Sequence, residues 1–298
     1  EPRFTVSEPL FESGVDNMGA LKLHVLSELT LEQIQRLLVS AGIDCVVLKG
    51  PHLAYTVWPV PTLRIWNDID ILVRPAHYHQ ALEILVRNGF YKPTVDKRHR
   101  SSAPRYHNTG LYSQYGIHIE LHRDLTPHDR YPVPIEGLFE RAETFRFLET
   151  EAQGLSTPDL LLHLCLHMTK SYFWTVEKKH FQDIAYLLAK KSINWTSFLN
   201  SVNFAKAKVG TWMALRASIC QAGAEVPAWV MQNLMPSLIR RFWLERWLNP
   251  NAFPVYTGPH QCRWNYQWRV GLALMDRPLD WLPLLMKYGR LRIMDLMG

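Results

Sequence analysis

The chain has 298 residues, of which 47% are hydrophobic and 20% are charged. This composition is ordinary for a folded globular protein and excludes an intrinsically disordered or collagen-like chain. The formal net charge of +6 favours an anionic partner, either a nucleoside triphosphate or a nucleic acid.

The composition also bears on where the protein works. No uninterrupted apolar run approaches the roughly 20 residues that a transmembrane helix needs, and the first residues lack the layout of a signal peptide. The 4 cysteines are scattered without a C-x-x-C pair, which indicates reduced thiols. We therefore expect a cytoplasmic protein that does not bind a membrane.

The N-terminal part of the chain predicts a helix and then a short strand. Residues 17–40 have apolar side chains at helical spacing and end just before Gly42, a suitable C-cap. The run Ile43-Asp-Cys-Val-Val-Leu48 reads as a strand that leads into Lys49 and Gly50. A tight turn at Gly50 would let backbone N–H groups approach a phosphate closely.

Two aspartates lie on the next predicted strand, Asn67-Asp-Ile-Asp-Ile-Leu-Val73, which Pro75 closes. Side chains in a strand alternate between its faces, so Asp68 and Asp70 project to the same side. Two adjacent carboxylates repel each other unless a cation lies between them. The pair therefore indicates a divalent-metal site, most naturally for Mg²⁺, although an edge strand with a solvated polar face is the alternative.

A third acid lies on a later predicted strand, Gly116-Ile-His-Ile-Glu-Leu-His122. This segment alternates strictly, so His118, Glu120 and His122 share one face. If the strand lies beside the Asp68 strand, Glu120 becomes a third carboxylate at the same site. The two histidines could orient the glutamate, bind a metal or line a polar cleft.

The remaining segments set the domain organisation. After Pro75 a helix is expected up to Gly89, and residues 92–110 are polar and basic, which predicts a surface loop or a cationic flap over the substrate. From Thr157 onwards the periodicity is helical. We predict an α+β protein: a small mixed sheet with helices in a catalytic domain over residues 1–150, then a mostly α-helical domain over residues 151–298 that closes on the substrate.

The order of these motifs resembles the nucleotidyltransferase superfamily related to polymerase beta. The closer resemblance is to a bacterial branch called "nucleotidyltransferase family protein". It covers roughly residues 40–200 and rests on five motifs in order: Leu48-Lys49-Gly50, Arg64-x-x-Asn67-Asp68-Ile69-Asp70, Glu120-Leu121-His122, Leu161-Leu-His-Leu-Cys-Leu-His167 and Asp183-Ile184-Ala185. Pro51 stands where the superfamily usually has a serine, so a hydroxyl contact to phosphate is absent.

The resemblance implies an active site with assigned roles. Asp68, Asp70 and Glu120 would be the catalytic residues and the ligands of two Mg²⁺ ions. A further set of residues would bind the nucleotide, preferably ATP. Three histidines would contact the metal ligands and orient them. The nucleotide-binding set is Lys49, Gly50, Arg64, Asn67 and Lys170, and the supporting histidines are His118, His122 and His167.

The implied reaction moves a nucleoside monophosphate from the triphosphate to a hydroxyl or similar nucleophile and releases pyrophosphate. The positive charge of residues 92–105, Arg123 and Arg130 favours a peptide, a protein or a substantial metabolite over a small polycation as the acceptor. An RNA or tRNA end is an alternative acceptor. A non-catalytic nucleotide-binding module is the alternative to an enzyme.

Two other patterns suggest different chemistry. His163 and His167 have the spacing of a zinc-protease helix, but Leu164 replaces the glutamate that acts as general base, so histidines of a core or cleft are expected. The aromatic and basic C-terminal segment, residues 240–247 followed by Trp264, Tyr266 and Trp268, could stack on RNA bases. Its helical apolar spacing instead predicts aromatic side chains packed in a core.

Overall fold

The computed structural model describes residues 17–66, 68–92, 108–126, 130–170, 173, 176–248, 270–271 and 273–276. Within these ranges no helix is long and apolar enough to cross a membrane. Backbone proximity divides the chain into two compact units. The first contains the described residues before residue 100 together with Asn108–Arg123 and Thr144–Gly154, and the second contains the other described residues. The division into domains at residue 150 stays a prediction.

Helices and strands are interspersed as far as Gly154, and the described elements after it are helices. In chain order the elements are α1 (Asn17–Ser40), β1 (Cys45–Val47), α2 (Lys49–Thr56), β2 (Asp68–Val73), α3 (Tyr78–Arg87), β3 (Asn108–Tyr112), β4 (His118–His122), α4 (Ile135–Glu140), β5 (Glu143–Phe147), β6 (Thr150–Gly154), α5 (Thr157–Lys170), α6 (Lys178–Lys190), α7 (Trp195–Phe204), α8 (Lys208–Ala222), α9 (Ala228–Leu234) and α10 (Leu238–Trp247).

The described strands form one six-stranded mixed sheet in the order β3-β4-β2-β1-β6-β5. Strand β2 is parallel to β4 and antiparallel to β1, while β1 is parallel to β6 and β3 is antiparallel to β4. The register places Asp70 opposite Glu120 and Asp68 opposite His118. The predicted α+β class, with a small mixed sheet and a helical C-terminal region, is confirmed.

One face of the sheet packs against α1 and α3. The apolar side chains of β2 and β4 on that face are fully buried, as are Leu31, Ile34 and Leu38 of α1. Each buried aliphatic side chain of this size stabilises the fold by about 1.5–3 kcal/mol relative to its exposed state. Because side chains alternate along each strand, this packing leaves the aspartates of β2 on the opposite face.

Helix α5 is the most buried helix of the second unit, with ten of its residues buried. At its first turn Asp159 accepts hydrogen bonds from both Nε (2.9 Å) and Nη2 (3.1 Å) of Arg141, and from Ser156 Oγ (2.6 Å). An acidic residue satisfied in this way stabilises the positive end of the helix dipole. The predicted helix start at Thr157 is confirmed.

Several local predictions from sequence are confirmed, and others are wrong. Helix α1 has the predicted bounds, and Gly42 beyond it has a positive φ of 70°. Residues 108–110 were assigned to the basic loop but belong to β3, and residues 93–107 of that loop lie outside the described residues. Gly50 lies in the first turn of α2 rather than in a separate glycine turn.

Two further differences concern the strands β5 and β6 and the aromatic residues of α10. Strands β5 and β6 were not predicted. In β5 only Phe145 and Phe147 are buried, so its pattern of alternating apolar and polar residues is short. On α10 the side chains of Phe242 and Trp243 are 70% and 51% exposed, so the prediction that the aromatic residues there pack in a core is wrong for these two. Among the described side chains of α10 only Leu244 is buried, and Trp264, Tyr266 and Trp268 lie outside the described residues.

Gly154, the last residue of β6, leaves space for a buried histidine. A Cβ atom at this position would lie 2.5 Å from Cε1 of His52, whose ring stacks on Phe145 with centroids 4.7 Å apart. We expect Gly154→Ala to lower the free energy of unfolding by about 1–3 kcal/mol, because His52 must leave its packed position. Chemical denaturation measures this change.

A double-mutant cycle provides the control. His52→Ala removes the ring that the new methyl group would meet, so Gly154→Ala should cost much less in that background. An equal cost with and without the His52 ring would show that crowding against this ring is not the cause.

Candidate active site

The aspartates of β2 are held against a lysine from the neighbouring strand end. The backbone N–H of Leu48 donates to the carbonyl of Asp70 (2.9 Å), which brings the following residue, Lys49, beside β2. Lys49 Nζ lies 2.7 Å from Asp70 Oδ2 and 3.8 Å from Asp68 Oδ2. The Asp70 side chain is 1% exposed and that of Asp68 is 38% exposed, so Asp70 lies in the interior and Asp68 is accessible to solvent.

Glu120 joins the aspartates through a buried histidine. His122 Nε2 lies 2.9 Å from Asp70 Oδ1 and 3.2 Å from Glu120 Oε2, so its N–H donates to two carboxylates. Asn108 Nδ2 donates to the same oxygen of Glu120 at 2.7 Å. The carboxylates of β2 and β4 are thus fixed by donors from α2, β3 and β4.

The charged groups of this cluster shift one another's pKa values. Burial alone would raise the pKa of Asp70, but Lys49 and His122 outweigh it and hold that pKa well below its usual range. Burial would lower the pKa of Lys49 and of His122, yet the surrounding carboxylates raise both. The carboxylates therefore favour the charged forms of both Lys49 and His122.

Asp68 and Glu120 differ in their electrostatic surroundings. Burial and the nearby charge of Asp70 raise the pKa of Asp68 despite Lys49. Burial opposes ionisation of Glu120, but its hydrogen bond from His122 lowers its pKa overall. The ionised form of Asp68, the more exposed acid, is therefore disfavoured in the protein alone, and an added cation would stabilise it.

The acids and histidines form two overlapping groups that suit metal ions. Asp68, His118 and Glu120 form one group and Asp70, Glu120 and His122 the other, and within each group the ligand atoms all lie within 4.8 Å of one another. Carboxylate oxygens are the ligands that hard divalent cations prefer. The residues present therefore fit two neighbouring divalent ions that share Glu120.

The start of α2 lies close to β2 because Gly50 has no side chain. A Cβ atom on Gly50 would lie 3.0 Å from Cβ of Trp66 and 3.7 Å from the carbonyl oxygen of Asp68. Trp66 is buried and packs on His24, with ring centroids 4.4 Å apart. Gly50 therefore allows the backbone of α2 to approach the backbone at the start of β2 closely. A contact between its N–H and a phosphate stays a prediction.

The structure brings only part of the predicted site together. Lys49, Gly50, His118 and His122 surround the three acids, while Arg64 is buried and donates from Nη1 to the carbonyl of Ile65 (2.7 Å). Asn67 lies outside the described residues.

His167 and Lys170 lie on α5 of the second unit. There the ring of His167 is 5.3 Å from that of His180, and the carbonyl of Lys170 accepts from Arg130 Nη1 (2.7 Å). Their predicted roles near the nucleotide stay predictions.

Sequence reasoning missed Asn108, which fixes Glu120. A signal was present, because Asn108-Thr-Gly-Leu-Tyr112 has β-branched and aromatic residues next to a glycine. The basic residues before it led to its assignment to a loop. The ion pairing of Lys49 with both aspartates was also missed, since it depends on β1 lying beside β2.

A mixed sheet with Asp-x-Asp on one strand and a third acid on its parallel neighbour defines a protein of the nucleotidyltransferase type. The family model described as "Uncharacterised nucleotidyltransferase" matches residues 21–218, and the chain belongs to this family. Transfer of a nucleotidyl group is therefore the general activity of the class. A search of curated proteins returned no match.

Two solved structures are similar at low identity. The lincosamide antibiotic adenylyltransferase LnuA, solved with lincomycin bound, is 14% identical with a TM-score of 0.37; the match covers 54% of this chain and 96% of that one. An antigenic nucleotidyltransferase-like protein from Paracoccidioides brasiliensis is 14% identical with a TM-score of 0.36, over 68% of this chain and 88% of that one.

Proposed function

We propose that the protein is a Mg²⁺-dependent enzyme that transfers the nucleoside monophosphate of an NTP, preferably ATP, to a hydroxyl or similar nucleophile and releases pyrophosphate. The observation that carries this proposal is the pair of ligand groups built from Asp68, Asp70 and Glu120. Three carboxylates on two adjacent parallel strands create a concentrated negative charge, which suits binding of divalent cations with a triphosphate.

Each acid would have a distinct role. Asp68 and Asp70 would hold the ions, with Glu120 shared between them, and the bound ions would stabilise the attacking and leaving oxygens of an in-line displacement. Asn108 and His122 both donate to Oε2 of Glu120, which fixes the carboxylate and keeps it ionised. In that form Glu120 would favour deprotonation of the acceptor hydroxyl.

The cationic residues would position the triphosphate. Lys49 keeps Asp70 ionised in the metal-free protein, and its ammonium group, 3.8 Å from the partly exposed Asp68, would neutralise the charge of a phosphate bound there. Arg64, Asn67 and Lys170 remain the other proposed phosphate contacts. The N–H groups of the first turn of α2, at Lys49 and Gly50, have the polarity that favours an anion.

The acceptor that we propose is a peptide, a protein or a substantial metabolite. The net charge of +6 disfavours a polycationic acceptor and favours one that is neutral or anionic. An RNA end shares the anionic character, so the experiment must separate these classes.

The acceptor class is tested by incubating the protein with each NTP, Mg²⁺ and three fractions of a cell extract: proteins and peptides, small metabolites, and RNA. Mass spectrometry should find a gain of one nucleoside monophosphate in the protein, peptide or metabolite fraction. Modification confined to RNA would replace the proposed acceptor with a nucleic-acid end, and it should then weaken steeply with added salt. Modification of a polycationic metabolite would refute the charge argument.

A further inference from the structure

The imidazole of His118 faces the more open of the two ligand groups. His118 is paired in register with Asp68 across β2 and β4, and its ring lies with Asp68 and Glu120 so that one ligand atom from each falls within 4.8 Å of the others. All three side chains are partly exposed. The position is therefore accessible to an ion from solvent.

The two histidines of β4 have different partners. The Nε2–H of His122 is occupied by Asp70 and Glu120 at 2.9 and 3.2 Å. The ring of His118 instead contacts the ring of Tyr112, with centroids 5.0 Å apart, and the His118 ring has no hydrogen bond within the described ranges. A neutral imidazole in this position has a nitrogen lone pair available for a metal.

Strand β3 leaves space for the His118 ring. Gly110 is paired with Glu120 across β3 and β4, and a Cβ atom on Gly110 would lie 3.1 Å from Nε2 of His118. A side chain at position 110 would require the ring to shift by a few tenths of an ångström from its place beside Glu120. The absence of a side chain therefore fixes where the imidazole can lie relative to the two carboxylates.

We infer that His118 is a nitrogen ligand of the outer divalent ion, together with Asp68 and Glu120, and that it gives this position a higher affinity for Mn²⁺ than for Mg²⁺, while Mg²⁺ can still bind there. The inference rests on the proposed function, which supplies the metal site itself. Mg²⁺ prefers an all-oxygen shell, whereas an imidazole nitrogen favours transition ions, and two carboxylates suit Mn²⁺ among them. The inner position, with His122 committed to hydrogen bonds, has only carboxylate ligands.

Pulsed electron paramagnetic resonance of Mn²⁺ bound to the whole chain, with and without a non-hydrolysable ATP analogue, tests the inference directly. We expect modulation from a directly coordinated imidazole nitrogen in the wild type and its loss in His118→Gln. Mn²⁺ affinity should fall on the order of 10-fold or more in this variant, while Mg²⁺ affinity changes little. His79→Gln, which alters an exposed histidine on α3, should leave the signal and both affinities unchanged.

A second variant keeps the inference testable if His118→Gln does not fold. Gly110→Ala keeps the imidazole but crowds it, so it should weaken Mn²⁺ binding and the nitrogen modulation while Mg²⁺ binding persists. Mn²⁺ bound without imidazole nitrogen coupling would overturn the role of His118 and leave the carboxylate site and the proposed function standing. No binding of either ion, even with the ATP analogue, would overturn the proposed function as well.

Discussion

We expect Asp70→Asn to abolish nucleotidyl transfer, with a rate reduction of about 10³-fold or more. A bound ion contributes several kcal/mol to stabilising the charge of the transition state, and each 1.4 kcal/mol corresponds to about tenfold in rate. Asn has nearly the volume of Asp but lacks the negative charge that both a metal ion and Lys49 require. The rate of pyrophosphate release with each NTP measures the effect.

The matched control for this substitution is Asp44→Asn, the same chemical change at a side chain that is 74% exposed and 3.8 Å from Arg74. It should retain wild-type turnover, because exposed ion pairs contribute little. Far-ultraviolet circular dichroism should show that Asp70→Asn is folded. Full turnover by a folded Asp70→Asn protein would exclude Asp70 from the catalytic site.

The second large effect concerns stability without metal. Lys49→Met removes the cation that lies between Asp68 and Asp70 and replaces it with an uncharged side chain of similar length. Removal of one partner from a buried ion pair leaves an uncompensated charge, so we expect the free energy of unfolding to fall by about 3–5 kcal/mol. Urea denaturation in the presence of a chelator measures this change.

Metal rescue shows whether the loss comes from unpaired carboxylates. Divalent ions that bind only the folded protein should restore part of the stability of Lys49→Met, and more than they add to the wild type. Lys191→Met, at an exposed position after α6, should leave stability nearly unchanged. A Lys49→Met protein as stable as the wild type in chelator would contradict the proposed balance of charge.

The positions of the three acids could be predicted from sequence because they depend mainly on the alternation of side chains along two strands. Alternation in Asp68–Val73 and in His118–His122 assigns each acid to a face without knowledge of the tertiary structure. The pairing of Asp70 with Glu120 then required only that β2 and β4 be neighbours. Helix α1 was equally predictable, because a long apolar repeat ends at a glycine with positive φ.

Other features depend on contacts between distant segments. Lys49 pairs with the aspartates because β1 lies antiparallel to β2, and Asn108 reaches Glu120 because β3 lies on the outer side of β4. Strands β5 and β6 are short, and their outward residues are polar, so they lack an apolar repeat strong enough to identify them. These features follow from the strand order of the sheet, which local patterns do not determine.

Parallel reactions with ATP labelled at the α or the γ phosphorus test the proposed chemistry most directly. Each is run with Mg²⁺, cell extract and either wild-type or Asp70→Asn protein. Relative to the same extract without added protein, we expect the α label to become covalently attached to an acceptor, the γ label to be released as pyrophosphate, and both gains to be lost with Asp70→Asn. Transfer of the γ label to an acceptor would show phosphoryl transfer instead, and it would contradict the assignment of this site to nucleotidyl transfer.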